Sequence, residues 1–169
     1  NPLNEDTSTA KELHLFATHY HWDHIQGFPF FDPAFVPGDN KVDIHFYGKR
    51  DARLRLSDVL AGQQSYPNFP VVWEDMPCGK QYHELSRLDP QEMSVGAATV
   101  SYQELTHPDA VFAYRIDHSG RRFVFATDNE HRDIPDVRLT RLAQDADLLY
   151  FDAQYYPEGY RGDPASVTG

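Results

Sequence analysis

The sequence predicts a single domain, residues 1–169, that contains both helices and strands and belongs to the α/β (α+β) class. Its length suits one domain, and 40% hydrophobic with 24% charged residues is ordinary for a globular protein. Short apolar or alternating segments have the character of strands, and a few other segments have helical spacing. The third observation is a dense group of histidines directly after the first apolar run, which indicates the position of a functional site.

The first half of the chain is predicted to contain two strands, two helices and a long loop. Residues 13–18 form a buried strand and residues 42–47 alternate before Gly48. Asp51 is expected to cap a helix that runs to Leu60, with Gly62 past its end. The basic stretch 49–55 would then be largely a solvated helix face. Residues 22–31 would turn into a short helix, and residues 65–80, rich in Pro, Gly and aromatics, form a loop.

The second half is predicted to be rich in strands. A hairpin turn is expected at His118-Ser119-Gly120, between two alternating segments. A helix-like spacing of apolar residues covers 134–146, after which comes a last buried strand. The predicted strands of this half are residues 81–85, 92–95, 98–105, 111–117, 122–126 and 147–152.

Three imidazoles and a carboxylate follow the first predicted strand, in the stretch Thr18-His19-Tyr20-His21-Trp22-Asp23-His24. These are ligands that zinc, iron and manganese accept. In an extended segment, side chains two residues apart project to the same side, so His19 and His21 can converge on one ion. Asp23 and His24 point in other directions and would supply a second ion. The alternative, a run of surface histidines, does not account for this spacing after a buried strand.

At these residues the chain resembles the metallo-β-lactamase superfamily of metal-dependent hydrolases. His19, His21, Asp23 and His24 match its H-x-H-x-D-H signature, and the continuation Ile25-Gln26-Gly27-Phe28-Pro29-Phe30-Phe31 is similar to its phosphodiesterase and phosphoesterase branch. The resemblance implies an αββα sandwich. Compared with the family pattern, this chain looks incomplete at the N- and C-termini, and the later histidine of the second metal site is absent. Sheet edges left open in this way would invite a homodimer.

Two further candidates follow later predicted strands, where catalytic residues concentrate. His107 comes after residues 98–105, and Asp128 comes after residues 122–126. In the family pattern, such a histidine completes the first metal site and such an aspartate bridges the two metals. Asp152 would lie beside the metals, and His131 could line the pocket. The expected metal ligands are therefore His19, His21, Asp23, His24, His107 and Asp128, with Asp23 and Asp128 also catalytic.

The composition of the chain restricts the kinds of substrate and partner that we expect it to bind. The net charge is −11, which repels a nucleic acid duplex in the absence of a basic arm and favours a small anionic substrate drawn to the metals. No apolar run approaches the roughly 20 residues that span a membrane, so no membrane partner is expected. The single cysteine, Cys78, excludes an internal disulfide and favours a reducing, cytoplasmic compartment.

These observations predict a metal-dependent hydrolase, with a phosphodiesterase favoured. The expected cofactors are two divalent metal ions, zinc before manganese or iron, with the second site incomplete in this chain. A metal-bridged hydroxide would attack a small phosphodiester, including a cyclic nucleotide. A lactonase, a β-lactamase-like enzyme or a thioester hydrolase would use the same metal core. A non-catalytic metal-binding module is the alternative from another class.

Overall fold

Two β-sheets form the framework of the computed structural model, which describes residues 12–89, 91–130 and 134–152. The first sheet is parallel, in the order β1 (Glu12–Phe16), β2 (Asp43–Lys49) and β3 (Gly79–Leu85). The second sheet follows chain order, with β4 (Glu92–Val95), β5 (Ala98–Leu105), β6 (Val111–His118), β7 (Arg121–Ala126) and β8 (Leu148–Phe151). Its neighbours are antiparallel, except that β8 runs parallel to β7.

The apolar side chains of these strands divide the molecule into four layers. Tyr47 and Leu85 of the first sheet pack with Val100, Tyr102, Phe112 and Tyr114 of the second, so the sheets face each other. The opposite face of the first sheet packs against helix α2 (Leu56–Gly62), and that of the second against helix α3 (Val137–Leu142). Period-two alternation produces this division, because successive residues of a strand point to opposite faces. The predicted αββα sandwich is confirmed.

The strands largely agree with the sequence prediction, whereas the helices are shorter than predicted. Helix α2 begins at Leu56 and not near Asp51, because the Asp51 carboxylate accepts a hydrogen bond from the Arg53 N–H at 2.7 Å in a local turn. Gly62 is the last residue of the helix and does not lie beyond it. The interpretation of residues 49–55 as a helix face is therefore wrong, since Lys49 ends β2.

Two other helices are also shorter than the sequence predicts. Residues 22–31 form a four-residue helix α1 (Trp22–Ile25) followed by a 3-10 turn, Phe28–Phe30, which has Pro29 near its start. Helix α3 starts only after Asp136, whose carboxylate caps it by accepting from the Arg138 N–H at 2.9 Å. The predicted hairpin turn is confirmed: Ser119 and Gly120 both have positive φ, 49° and 74°, between the paired residues His118 and Arg121.

The residues that the structure describes include no helix of the length and apolar character needed to cross a membrane. The outer strands are β1 and β3 in one sheet and β4 and β8 in the other. Dimerisation through such an edge stays a prediction.

Candidate metal centre

The candidate residues lie on three loops at one edge of the sandwich. Strands β5 and β7 are both antiparallel to β6, so they run in the same direction and end at the same edge. His107 follows β5 by two residues, and Asp128 follows β7 by two residues. The remaining candidates follow β1, with His19 and His21 in the connecting segment and Asp23 and His24 in helix α1.

Four of these side chains converge on one point. One ligand atom each from His19, His21, His107 and Asp128 lies within 4.8 Å of the others. The His19 and His21 rings are 4.5 Å apart at an angle of 75°, and the His21 and His107 rings are 4.8 Å apart at 61°. Rings that are turned against each other in this way aim their nitrogens at a common centre, which is the arrangement that a tetrahedral cation requires.

The Asp128 carboxylate stands at the middle of the histidine cluster. Its Oδ2 lies 3.2 Å from Nε2 of His24, 3.5 Å from Nε2 of His19 and 3.9 Å from Nε2 of His107. Asp128 has a φ of 50°, a conformation that aspartate tolerates better than most residues. Its N–H donates to Oδ2 of Asp152 at 3.4 Å, so Asp152 supports the loop beside the cluster.

A second group overlaps the first at Asp128. His24 Nε2 lies 3.3 Å from Oδ2 of Asp23 as well as 3.2 Å from Oδ2 of Asp128. The Asp23 side chain is 71% exposed, so this part of the site opens to solvent. All six residues predicted from the sequence are thus brought together. His131 lies outside the described residues.

His19 has the chemistry of a metal ligand. It is 1% exposed, and its Nε2 is buried with no hydrogen-bond partner among the described residues, while Nδ1 lies 3.2 Å from the Thr18 hydroxyl. Burial, together with the neighbouring His24 and His107, lowers the pKa of His19 to about 3. The ring is therefore neutral at physiological pH, and its buried Nε2 lies 3.5 Å from Oδ2 of Asp128 in the cluster. A cation would satisfy that nitrogen, so the residues present fit a divalent metal.

Backbone hydrogen bonds hold the three loops in place. The Phe112 N–H donates to the Thr18 carbonyl at 2.8 Å, and the Glu130 N–H donates to the Thr106 carbonyl at 2.8 Å. The Tyr114 hydroxyl, on β6, donates to the Ala17 carbonyl at 2.7 Å. Loops that carry functional groups depend on such support, because an unsupported loop would not keep six side chains convergent.

Comparison with known proteins agrees with this geometry. Residues 2–166 match the family model described as the β-lactamase superfamily domain. The chain belongs to the metallo-β-lactamase superfamily. Ribonuclease Z of Staphylococcus carnosus (strain TM300) is 26% identical over 166 residues, which cover 95% of this chain and 50% of that protein. The chain thus spans about half the length of this curated relative.

Solved structures of the superfamily share the fold. The human tRNase Z short form superposes with a TM-score of 0.55 and 18% identity, covering 80% of this chain and 55% of that chain. The metallo-β-lactamase fold protein YhfI from Bacillus subtilis superposes with a TM-score of 0.54 and 21% identity, covering 80% of this chain and 47% of that chain. Membership in this superfamily implies binding of divalent metal, which agrees with the histidine and aspartate cluster. The chain resembles the phosphoesterase branch within it.

Three residues of the site were not anticipated from the sequence. Asp109 places its Oδ2 3.0 Å from Nε2 of His21, and the Lys49 ammonium donates to the Asp109 carbonyl. Tyr20, between two of the histidines, donates its hydroxyl to the Lys49 carbonyl at 2.6 Å. The position of Asp109 two residues after His107 was the available signal, whereas the approach of Lys49 depends on how the two sheets pack against each other.

The first sheet carries a second group of histidines, one on each of its three strands. We call His14, His45 and His83 the sheet row, because they lie side by side on β1, β2 and β3. His45 Nδ1 and His83 Nε2 are 2.9 Å apart, with the ring planes 7° from parallel. His14 stacks on His45 at 4.7 Å and its Nδ1 is hydrogen-bonded to the Tyr47 hydroxyl at 3.0 Å.

Proposed function

We propose that this protein is a phosphodiesterase of the metallo-β-lactamase superfamily that hydrolyses small phosphodiesters with two divalent cations, zinc in the first instance. The observation that carries the proposal is the position of the Asp128 carboxylate. A single oxygen of this side chain lies 3.2 Å from Nε2 of His24, 3.5 Å from Nε2 of His19 and 3.9 Å from Nε2 of His107. A carboxylate that is shared in this way can serve two cations, and closely spaced metal pairs are typical of hydrolytic phosphoryl transfer.

The proposed first metal site consists of His19, His21, His107 and Asp128. The second consists of Asp23, His24 and Asp128, which leaves more of its coordination to water and substrate. When bound, the cations would supply an activated water and neutralise charge on the phosphoryl oxygens.

The protein side chains around this site have distinct roles in the proposal. Asp23 is an exposed carboxylate next to His24, so it can accept a proton from the attacking water and orient it. His19 stays neutral through burial, and the contact of its Nδ1 with the Thr18 hydroxyl holds the ring with Nε2 in the site. The Asp152 carboxylate fixes the backbone of Asp128 by accepting a hydrogen bond from the Asp128 N–H. Each of these groups acts on the position of the nucleophile and not on the leaving group.

A small substrate is favoured by the surroundings of the site. An apolar cavity of about 250 Å³ lies beside His24, lined by Ile25, Phe28, Phe31 and Leu60 among others. A cavity of this size accepts one compact organic group of a diester. The net charge of −11 opposes close approach of a long polyanion.

RNA is the second candidate substrate, and the similarity to ribonuclease Z of S. carnosus favours it. Both substrates present a phosphodiester, so the same six residues would serve either reaction. The two reactions differ in how the protein binds its substrate. A long RNA needs several cationic contacts with its phosphates, and these make binding steeply dependent on salt.

The proposal is tested with the purified protein loaded with zinc or manganese. We expect hydrolysis of bis-p-nitrophenyl phosphate, slower or no hydrolysis of lactone and thioester reporters, and weak cleavage of a 3′-extended RNA. Asp128→Ala should abolish diester hydrolysis while the circular dichroism spectrum is retained. Elemental analysis should give two metal ions per chain. Faster turnover of RNA would favour the second candidate, and a folded, metal-loaded protein that cleaves no reporter would support a non-catalytic module.

A further inference from the structure

Lys49 is anchored beside the candidate metal centre by its own backbone. It is the last residue of β2, and its carbonyl accepts the Tyr20 hydroxyl at 2.6 Å. Tyr20 stands between His19 and His21, so the end of β2 is tied directly to the segment that carries the first two histidines. The next residue, Arg50, donates its N–H to the Leu85 carbonyl of β3 at 2.7 Å, which fixes the strand end from the other side.

The Lys49 ammonium reaches the loop that follows His107. It donates a hydrogen bond to the backbone carbonyl of Asp109, and the carboxylate of the same residue lies 3.0 Å from Nε2 of His21. One residue therefore touches both the ammonium and a histidine of the cluster. An ammonium has three donors, so Lys49 can keep the Asp109 carbonyl and still donate to a ligand above the site.

Lys49 forms no ion pair among the described residues, although the Asp51 carboxylate is near enough to interact with its charge. Arg138, which also reaches the loop before His107 through Thr106, is neutralised by a two-point contact with the Asp136 carboxylate. Lys49 instead bonds a neutral carbonyl. The site otherwise presents carboxylates from Asp23, Asp109 and Asp128. A positive side chain held at the rim of an acidic site is a suitable partner for an anionic substrate oxygen, since lysine binds phosphate as a point charge.

We propose that Lys49 determines substrate specificity by binding a non-bridging phosphoryl oxygen, so that the site selects anionic phosphoesters over neutral esters. This inference rests on the proposed phosphodiesterase function. The ammonium meets the phosphate from the rim while the six-residue cluster holds the metals. Removal of the charge weakens anion binding and leaves the metals in place.

The test uses Lys49→Gln, Lys49→Arg and the control Lys41→Gln, which removes an exposed lysine just before β2. Each zinc-loaded protein is titrated with inorganic phosphate by calorimetry, and KM and kcat are measured for bis-p-nitrophenyl phosphate. We expect Lys49→Gln to raise the phosphate Kd and the KM by about tenfold, the scale of one charge-assisted hydrogen bond. Lys49→Arg should retain most of the binding, Lys41→Gln all of it, and the metal content should be the same in every variant.

The outcomes separate this inference from the proposed function. If the wild type cleaves the diester and Lys49→Gln binds phosphate and substrate as the wild type does, the role of Lys49 is refuted. If Lys49→Gln loses metal, the residue is structural and the inference also fails. If the wild type cleaves no diester but binds phosphate in a manner that depends on Lys49, the anion site stands and the phosphodiesterase proposal fails. Absence of phosphate binding by the wild type overturns the inference.

Discussion

The two histidine groups of this protein are both connected to β1, and yet their ring nitrogens are arranged differently. His14 of the sheet row lies in β1, whereas the metal-centre cluster begins just after it. In the metal-centre cluster, His19, His21 and His107 have rings turned by 54° to 75° against each other, with ligand atoms that converge. In the sheet row, the ring planes of His45 and His83 are nearly parallel, and His45 Nδ1 lies 2.9 Å from His83 Nε2. Both groups contain closely spaced imidazoles, but within the part of the chain that the structure describes only the first brings ligand atoms from three histidines and a carboxylate within 4.8 Å of one another.

The position relative to the strands explains the difference. Each member of the sheet row lies within a strand, where the pleat holds the side chain perpendicular to the sheet and neighbouring strands repeat at about 4.8 Å. The rings therefore line up side by side. Members of the cluster lie beyond strand ends, where the backbone turns freely enough to rotate one ring against another. Clustered histidines predict a metal site when they come from loops, and predict a hydrogen-bonded row when they come from paired strands.

The largest effect that we expect separates the groups by metal affinity. His107→Ala removes one of four converging ligand atoms and should weaken zinc binding at least about 100-fold, because the remaining ligands leave the coordination open. His83→Asn removes a ring of the sheet row and should leave zinc affinity unchanged. Calorimetric titration of the metal-free proteins measures both. Zinc lost equally from the two variants would show that the groups are not distinct.

An intermediate effect is expected where the two regions connect, at Gly48 on β2. A Cβ at this position would lie 2.5 Å from the Tyr20 hydroxyl and 3.1 Å from Cδ1 of Leu56. Gly48→Ala should therefore displace Tyr20 and lower the free energy of unfolding by about 1–3 kcal/mol, as overpacking does. Urea denaturation measures the change.

Gly27→Ala is the matched control for Gly48→Ala, because nothing lies within 4 Å of its Cβ and its φ of −72° suits alanine. The double variant Gly48→Ala/Tyr20→Phe should recover part of the loss by removing the hydroxyl that clashes. Equal stability of the two alanine variants would contradict the tight crossing of Tyr20 over Gly48.

The smallest effect concerns the pH dependence of stability in the metal-free protein. Burial lowers the pKa of His14 and of His83 from 6.5, helped by His45 in both cases, while Glu12 opposes the shift at His14. The unfolded chain then binds more protons than the folded one below pH 6.5, so stability falls as pH drops from 6.5 toward the lower folded pKa. His83→Asn should reduce the dependence of the free energy of unfolding on pH by at most the amount that corresponds to one bound proton.

The control for this slope is His118→Asn, which replaces an exposed histidine of the hairpin turn. Urea midpoints between pH 7.5 and 4.5 give the slope for each protein. His19, whose pKa is lowered to about 3 in the folded protein, also contributes to the slope over this range, but it is present in all of the variants and cancels from the difference. Slopes that stay parallel in wild type and His83→Asn would exclude a contribution from the sheet row.

Local patterns predicted most of the framework. Alternation located the strands to within one or two residues, and the αββα arrangement followed from the resemblance carried by His19, His21, Asp23 and His24. Helix starts were less accurate, because an aspartate can cap a helix or close a local turn. Asp136 does the first and Asp51 the second, and both have the same local sequence signal.

The amino-acid sequence specifies which chemical groups are available and in which segments they lie: imidazoles after β1, a histidine after β5 and an aspartate after β7. It does not specify which of these groups meet. The pairing of β2 with β1 and β3 lined up the sheet row, the packing of the two sheets brought Lys49 to Asp109, and the parallel direction of β5 and β7 brought His107 to Asp128. Residue type and local spacing fix a side chain's chemistry and its side of a strand. Distances between loops depend on the register and direction of strands far apart in the chain.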